Sequence, residues 1–237
     1  MNLILFEPAE AARALPRSDP RAGHLLEVLR RRPGDEFDAG LVDGPRGKGT
    51  LVSVGGSALE LSFVWGAEPP PPDPLTLVIG LPRPQTARRI LQEAAALGVA
   101  ALHFVLTEKG ERGYAQSTLW RTGEWRRHLI LGAEQAFCTR LPEVTHGRRL
   151  GDVAGGKMPA GTRIALDNYE AGRGLSGAVQ VPPVWIAIGP ERGWSAGERD
   201  LLRAQGFGMF HLGHRVLRTE TACVAAVAIV KAGLGLM

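Results

Sequence analysis

The residues with the most chemical potential in this chain fall in two short loops of its C-terminal third. The first reads Gly189-Pro190-Glu191-Arg192-Gly193; the second runs from Gly213 to Leu217 and leads into Arg218-Thr219-Glu220-Thr221. Glycine lets a ligand approach main-chain N–H and C=O groups without interference from a Cβ atom. Both loops set that open backbone beside a few charged and hydroxyl side chains, a composition suited to holding a small polar ligand. Each loop follows a short apolar run, Val184 to Ile188 before the first and Met209 to Leu212 before the second. The first run is β-branched and aromatic, as a strand buried on both faces should be. Ser195 and Glu198 form an S-x-x-E capping box for a helix that runs to about Gln205 and is stopped by Gly206. Thr219 opens a second helix of small apolar residues. The spacing predicts two loops at the carboxyl ends of adjacent parallel strands, where an open α/β sheet binds ligands.

The two segments IGPERGW and LGHRVLRTETA lie about one strand-helix-strand apart. Together they resemble the signature of the RsmE family, the small-subunit ribosomal RNA uridine-N3 methyltransferases of the SPOUT class. The likeness extends through LPRPQTARRILQEAAALGV and AEQAFCTRLPEV, and into the N-terminal HLLEVLR and PGDE with the glycine-rich hairpin that follows. The resemblance implies an α/β chain with a SPOUT-type C-terminal domain tied in a trefoil knot and a small PUA-like β-barrel in front of it. It implies S-adenosylmethionine as cofactor, held by Leu166, Gly189, Pro190, Gly193, Leu212, Gly213 and Leu217, with Thr219 and Thr221 in support. It also implies 16S ribosomal RNA or the small subunit as partner, and a homodimer with the Ala222 to Val230 helix near the subunit contact. Read without the resemblance, the sequence equally allows this helix to be monomer core.

Uridine N3 bears a weakly acidic proton, and its deprotonated ring is an anion, so a base and a cationic stabiliser are expected. Glu191 is the candidate base and Arg218 the candidate stabiliser. Both also have structural readings, Glu191 on loop amides and Arg218 or Glu220 across a dimer. N3 lies on the Watson–Crick edge, so the acceptor must be unpaired or flipped out before transfer. Arg83, Arg88, Arg89, Arg126 and Arg127 are candidates to line the RNA approach. Arg30, Arg31 and Arg32 are candidates for phosphate contacts in the N-terminal domain, or simply a solvated helix end. Four departures from the family pattern bear on substrate choice: Arg192 in place of a second glycine, Ala96 in place of glutamate, Cys138 in place of arginine, and Leu3-Ile4-Leu5 where an early arginine is common. Two further readings stay open, a related SPOUT enzyme acting on another RNA and a non-catalytic RNA-binding assembly factor.

The elements that must position these residues divide at Glu68-Pro69-Pro70-Pro71-Pro72-Asp73-Pro74, a run that favours an extended polyproline spacer. The expected domains are 1–68, a linker 69–74, and 75–237. Before the linker, Ser18-Asp19-Pro20 starts one helix. Glu36 to Val42, Gly49 to Val54 and Ala58 to Trp65 read as barrel strands. After it, strands at Leu75 to Leu81, Ala101 to Leu106 and Arg163 to Leu166 alternate with helices at Gln85 to Leu97 and Thr118 to Phe137, a pattern that predicts a mostly parallel sheet. Residues 1–68 hold eight Lys and Arg against ten Asp and Glu, a net of −2, so residues 69–237 carry +6 of the total +4. Arginine outnumbers lysine 24 to 4, and guanidinium groups fork onto phosphates and stack on bases.

Other classes lack support. The longest apolar run, Ala222 to Val230, is too short to span a bilayer. The N-terminus lacks a secretory pattern, so a cytoplasmic protein is expected. Cys138 and Cys223 stand alone, which argues against a zinc knuckle or a disulfide framework, and no metal is expected. Gly172 to Gly177 spells G-x-G-x-x-G, but Pro182 and Pro183 follow too soon for the helix a dinucleotide site requires. His211 and His214, three apart on an expected strand, should face opposite ways rather than bind a metal.

Overall fold

Apolar and polar residues alternate with a period of two over Ala58–Trp65, and strand-helix alternation takes over from Asp73. The computed structural model describes residues 3–178 and 180–237. It is an α/β fold with two compact units, Met1–Pro71 together with Ile130–Leu141, and Pro72–Leu129 together with Pro142–Met237.

The first unit holds β1 (Ile4–Phe6), β2 (Leu15–Pro16), α1 (Pro20–Gly23, widening into a π turn over His24–Val28), β3 (Glu36–Leu41), β4 (Arg46–Val54) and β5 (Ala58–Trp65). They form one five-stranded sheet in the order β1-β3-β4-β5-β2, with β1 parallel to β3 and the other pairs antiparallel. Asp19 caps α1 by accepting from the Arg21 N–H at 2.8 Å, as the Ser-Asp-Pro start predicts. Phe6, Phe37, Leu25, Leu51 and Leu59 fill the core, and Phe63 meets Phe6 edge-on at 5.0 Å. Residues 130–141 return to this unit, a feature the division at the prolines does not contain. Ala133, Ile130, Phe137 and Leu141 pack around Leu3, Leu5 and Val42, and the Leu5 N–H donates to Glu134 Oε1 at 3.0 Å. Leu3-Ile4-Leu5 is thus buried, leading into and forming the edge strand β1.

The second unit contains β6 (Asp73–Gly80), α2 (Pro84–Ala96), β7 (Val99–Leu106), α3 (Thr118–Arg121), α4 (Glu124–Gln135, whose end belongs to the first unit), β8 (Glu143–Arg149), α5 (Leu150–Ala154), β9 (Thr162–Leu166), β10 (Val184–Ile188), α6 (Ala196–Ala204), β11 (Gly208–Phe210) and α7 (Thr219–Gly233). Its six strands are all parallel, in the order β11-β9-β10-β6-β7-β8. Both faces are covered, so the central strands are apolar throughout. Val78, Val105, Ala165 and Ala187 meet Val153, Trp194 and Leu202 on one face. The alternating residues Leu77, Ile79 and Ile186 are equally buried.

Three expectations need correction. The helix expected over Thr118 to Phe137 is broken, because Gly123 adopts φ +75° between α3 and α4. The stretch read as a connection before β9 contains β8 and α5. The strands before the two glycine loops are not neighbours, since β9 lies between β10 and β11.

Arg21 supplies a test of the first unit. Its guanidinium donates to Glu10 at 2.8 and 3.1 Å, to Asp19 at 3.0 and 2.7 Å, and to the Leu5 carbonyl at 3.1 Å. Hydrogen bonds from Arg21 hold both carboxyls below the usual carboxylate range. Both groups therefore bind protons more weakly folded than unfolded, and the clamp's contribution is complete above about pH 5 and lost as pH falls through the lowered folded values. Urea unfolding followed against pH should show that acid loss, and Arg21→Gln should flatten it.

Candidate functional site

Because all six strands run the same way, the loops after β6, β9, β10 and β11 emerge at one edge of the sheet. They line a cleft of about 230 Å³. Its walls are Leu166 to Tyr169 after β9, Ile188 to Trp194 through the end of β10, and Leu212 with Arg215 to Glu220 after β11; Arg83 and Thr86 come from the start of α2.

Each wall is fixed from behind. Trp194 is fully buried, and its indole Nε1 donates to the Leu166 carbonyl at 3.0 Å, tying the β10 loop to the end of β9. Lys109 Nζ donates to the Trp194 carbonyl at 2.8 Å. The Ser195–Glu198 capping box forms as expected, and the other Glu198 oxygen accepts from the Glu108 N–H at 2.8 Å. Glycine is required beneath the cleft, where a Cβ on Gly80 would lie 2.5 Å from Pro190 Cδ and 2.6 Å from its nitrogen. Gly193 turns the loop with φ +66°.

The β9 wall is organised by Asp167. Its Oδ1 accepts the N–H groups of Tyr169 at 2.8 Å and Glu170 at 2.7 Å, and its Oδ2 accepts from Arg199 Nε at 2.7 Å. The Asp167 and Arg199 side chains are only 2% and 9% exposed. Glu170 extends the network to Arg199 at 3.4 Å and to Arg203. The Asp167 N–H donates to the Phe210 carbonyl at 2.9 Å, which links this wall to β11.

Most residues singled out from the sequence converge here. Leu166, Gly189, Pro190, Glu191, Gly193, Leu212, Leu217, Arg218 and Thr219 line the cleft, as do Arg192 and Arg83. Glu191 accepts the Arg83 N–H at 3.2 Å, so its carboxylate is tethered at the rim. Gly213 and Thr221 do not line it; Gly213 shapes the turn with φ +103°, and Thr221 is exposed on α7. Arg88 is paired with Glu124 at 2.9 and 3.2 Å, and Arg89 reaches Glu220 at 3.5 Å. Arg127 is exposed on α4 and Arg126 half-buried there. In the first unit, Arg30 and Arg32 are exposed, Arg30 has φ +53°, and the Arg32 N–H is held by Asp35 at 2.8 Å. Arg31 is half-buried.

The histidine reading needs correction. Strand β11 ends at Phe210 and His211 bridges Gly174, but the chain bends over 212–215, so the His211 and His214 rings stack at 6.2 Å rather than facing opposite ways, and Gly213 N–H donates to His211 Nδ1. Sequence reasoning also missed Tyr169, Arg215 and Val216 in the cleft, and Arg199 behind it. A charged residue inside the amphipathic pattern of α6 gives no local sign of its burial.

The arrangement offers main-chain groups and apolar side chains for a nucleoside-like ligand, with Glu191 and four guanidinium groups at Arg83, Arg192, Arg215 and Arg218. Such a site can take up a proton and stabilise developing negative charge.

Residues 69–231 match the family described as RNA methyltransferase domain. The chain is 38% identical to ribosomal RNA small subunit methyltransferase E of Treponema pallidum, over 98% of this chain and 91% of that protein. It is 27% identical to ribosomal RNA small subunit methyltransferase E 1 of Borreliella burgdorferi, over 97% of each. Its fold is similar to that of the ribosomal RNA small subunit methyltransferase E from Neisseria gonorrhoeae bound to S-adenosyl methionine, with a TM-score of 0.80 at 24% identity over 98% of this chain and 97% of that one.

Removing one member of a buried ion pair strands the other. Asp167→Ala should therefore lower stability by about 3–5 kcal/mol in urea unfolding.

Proposed function

We propose a function from the premise that the chain belongs to the ribosomal RNA small subunit methyltransferase E family: it transfers a methyl group from S-adenosylmethionine to N3 of a uridine in 16S ribosomal RNA. The observation that carries this reading is the convergence of the loops after β6, β9, β10 and β11 on one cleft in which Glu191 lies among the guanidinium groups of Arg83, Arg192, Arg215 and Arg218. When bound, the donor supplies an electrophilic methyl on a sulfonium.

The chain's own contribution is to bind, orient and manage a proton. Gly189 and Gly193 leave main-chain groups open, and a Cβ on Gly189 would lie only 3.2 Å from Gly193 Cα, so the loop is drawn tight by design of its sequence. With Leu166, Pro190, Leu212 and Leu217, these residues would hold the adenosine, and the buried Thr219 adds a hydroxyl at the start of α7. Gly213 acts through the shape of its turn. Glu191, directed by the Arg83 N–H, takes the proton from N3. Arg218, exposed at the N-cap of α7, stabilises the uridine anion, and Arg192 adds a second cation at the rim.

The same reading extends to the rest of the chain. A trefoil knot is supported by the parallel bridge between Gly174 and His211, which brings the segment after β9 beside the segment leading to α7. A PUA-like N-terminal domain that guides RNA, with Arg30 to Arg32 on phosphates, is supported by the five-stranded sheet and the helix capped by Asp19. A homodimer is supported by Val224, Ala225, Ala228 and Ile229, apolar residues of α7 left half-buried. Arg83, Arg88, Arg89, Arg126 and Arg127 face RNA in this reading. The free cysteines Cys138 and Cys223 agree with work in the cytoplasm.

Tritium transfer from labelled S-adenosylmethionine into small subunits lacking the modification, followed by mass mapping of the RNA, tests the reaction. Glu191→Gln should lower kcat by about 100-fold or more while calorimetry shows unchanged donor binding. Unchanged turnover would remove Glu191 from the mechanism.

A further inference from the structure

The cleft carries one aromatic side chain at its exposed mouth. Tyr169 lines the cleft yet is 78% exposed. Its neighbours on the same wall, Leu166 and Asp167, are half-buried and buried. A large aromatic ring left in water gains nothing for folding, yet this one is held. The Tyr169 main-chain N–H donates to Asp167 Oδ1 at 2.8 Å. The Arg199 guanidinium carbon lies 5.4 Å from the ring centroid, on a side chain only 9% exposed and itself fixed by Asp167. Ring atom Cε2 would stand 3.7 Å from a Cβ built on Gly193, an ordinary contact distance that places the ring edge beside the glycine loop. One side of the ring rests on a buried cation, and most of its surface faces solvent at the mouth of the cleft.

We propose that Tyr169 is the stacking platform for the acceptor base, a flat pyrimidine displaced from its own RNA stack. The inference rests on the methyl-transfer reading above and deepens it. A base whose Watson–Crick edge is to be methylated must leave its stack, and an aromatic side chain at the site replaces the contact it gives up. The donor is the less suitable occupant, because a small-molecule site buries most of its ligand, whereas this ring stands at the rim where the second substrate enters. Tyrosine also loses little side-chain freedom when it stacks, and Arg199 supports one face of the ring by a cation–π contact. Val216, 82% exposed on the facing loop after β11, gives the same mouth a second apolar surface.

The experiment compares Tyr169→Phe, Tyr169→Trp and Tyr169→Leu with the parent chain. It uses unmodified small ribosomal subunits and tritiated S-adenosylmethionine, with donor affinity measured separately by calorimetry. Loss of a base-aromatic stack corresponds to a weakening of about 5- to 100-fold. Tyr169→Leu should raise KM for the subunit by that factor with donor affinity unchanged, and the Phe and Trp variants should stay near the parent. A Tyr169→Leu enzyme with the parent's KM would overturn the platform. So would a Phe variant as impaired as Leu, since the hydroxyl rather than the ring would then matter, or a parallel loss of donor affinity in Leu, which would assign the ring to the donor. A parent chain that transfers no methyl would instead overturn the methyl-transfer reading on which the platform stands.

Discussion

The buried pair of Asp167 and Arg199 is the constraint on which the site depends. Desolvating two charges is costly and is offset only when every remaining valence is satisfied. Here the carboxylate accepts from two main-chain N–H groups as well as from the guanidinium, and the guanidinium also reaches Glu170. The pair joins the end of β9 to α6, two elements that sequence separates by some thirty residues. Because α6 begins at the glycine loop after β10, the same pair sets the spacing between two walls of the cleft. The Asp167 N–H on the Phe210 carbonyl brings in the third. Trp194, with its indole on the Leu166 carbonyl, seals the junction from within the core.

What was legible in the sequence was local. Val184 to Ile188 reads as a buried strand and is one, with the same ends. Ser195 and Glu198 announce a capping box three residues apart, and both hydrogen bonds are present. Gly98 stops α2 with φ +75°. The motif residues 189–193 and 212–219 come together largely as their order suggests.

What was not legible depends on partners far along the chain. Nothing near β10 or β11 says that β9 inserts between them, because strand order is set by how helices pack on both faces. Gly123 looks like any glycine tolerated inside a helix until its φ is known. Residues 130–135 continue the helical pattern of α4, and their apolar neighbours Leu3, Leu5 and Val42 lie far away in the sequence. The pairing of His211 with His214 hinges on whether the strand ends at Phe210 or two residues later, a distinction finer than periodicity resolves. Arg199 sits one position after the capping glutamate and reads as a solvated helix charge; its burial is a property of Asp167.

The central claim is that the segments after β9, β10 and β11 form one ligand site rather than three separate turns. Hydrogen–deuterium exchange with and without S-adenosylmethionine measures this directly, since a ligand held by main-chain groups slows exchange where it binds. Slowed exchange in 166–170, 189–194 and 212–219 together, saturating at a single donor concentration, is the result expected. Protection confined to one of these segments, or none in any of them, would contradict it.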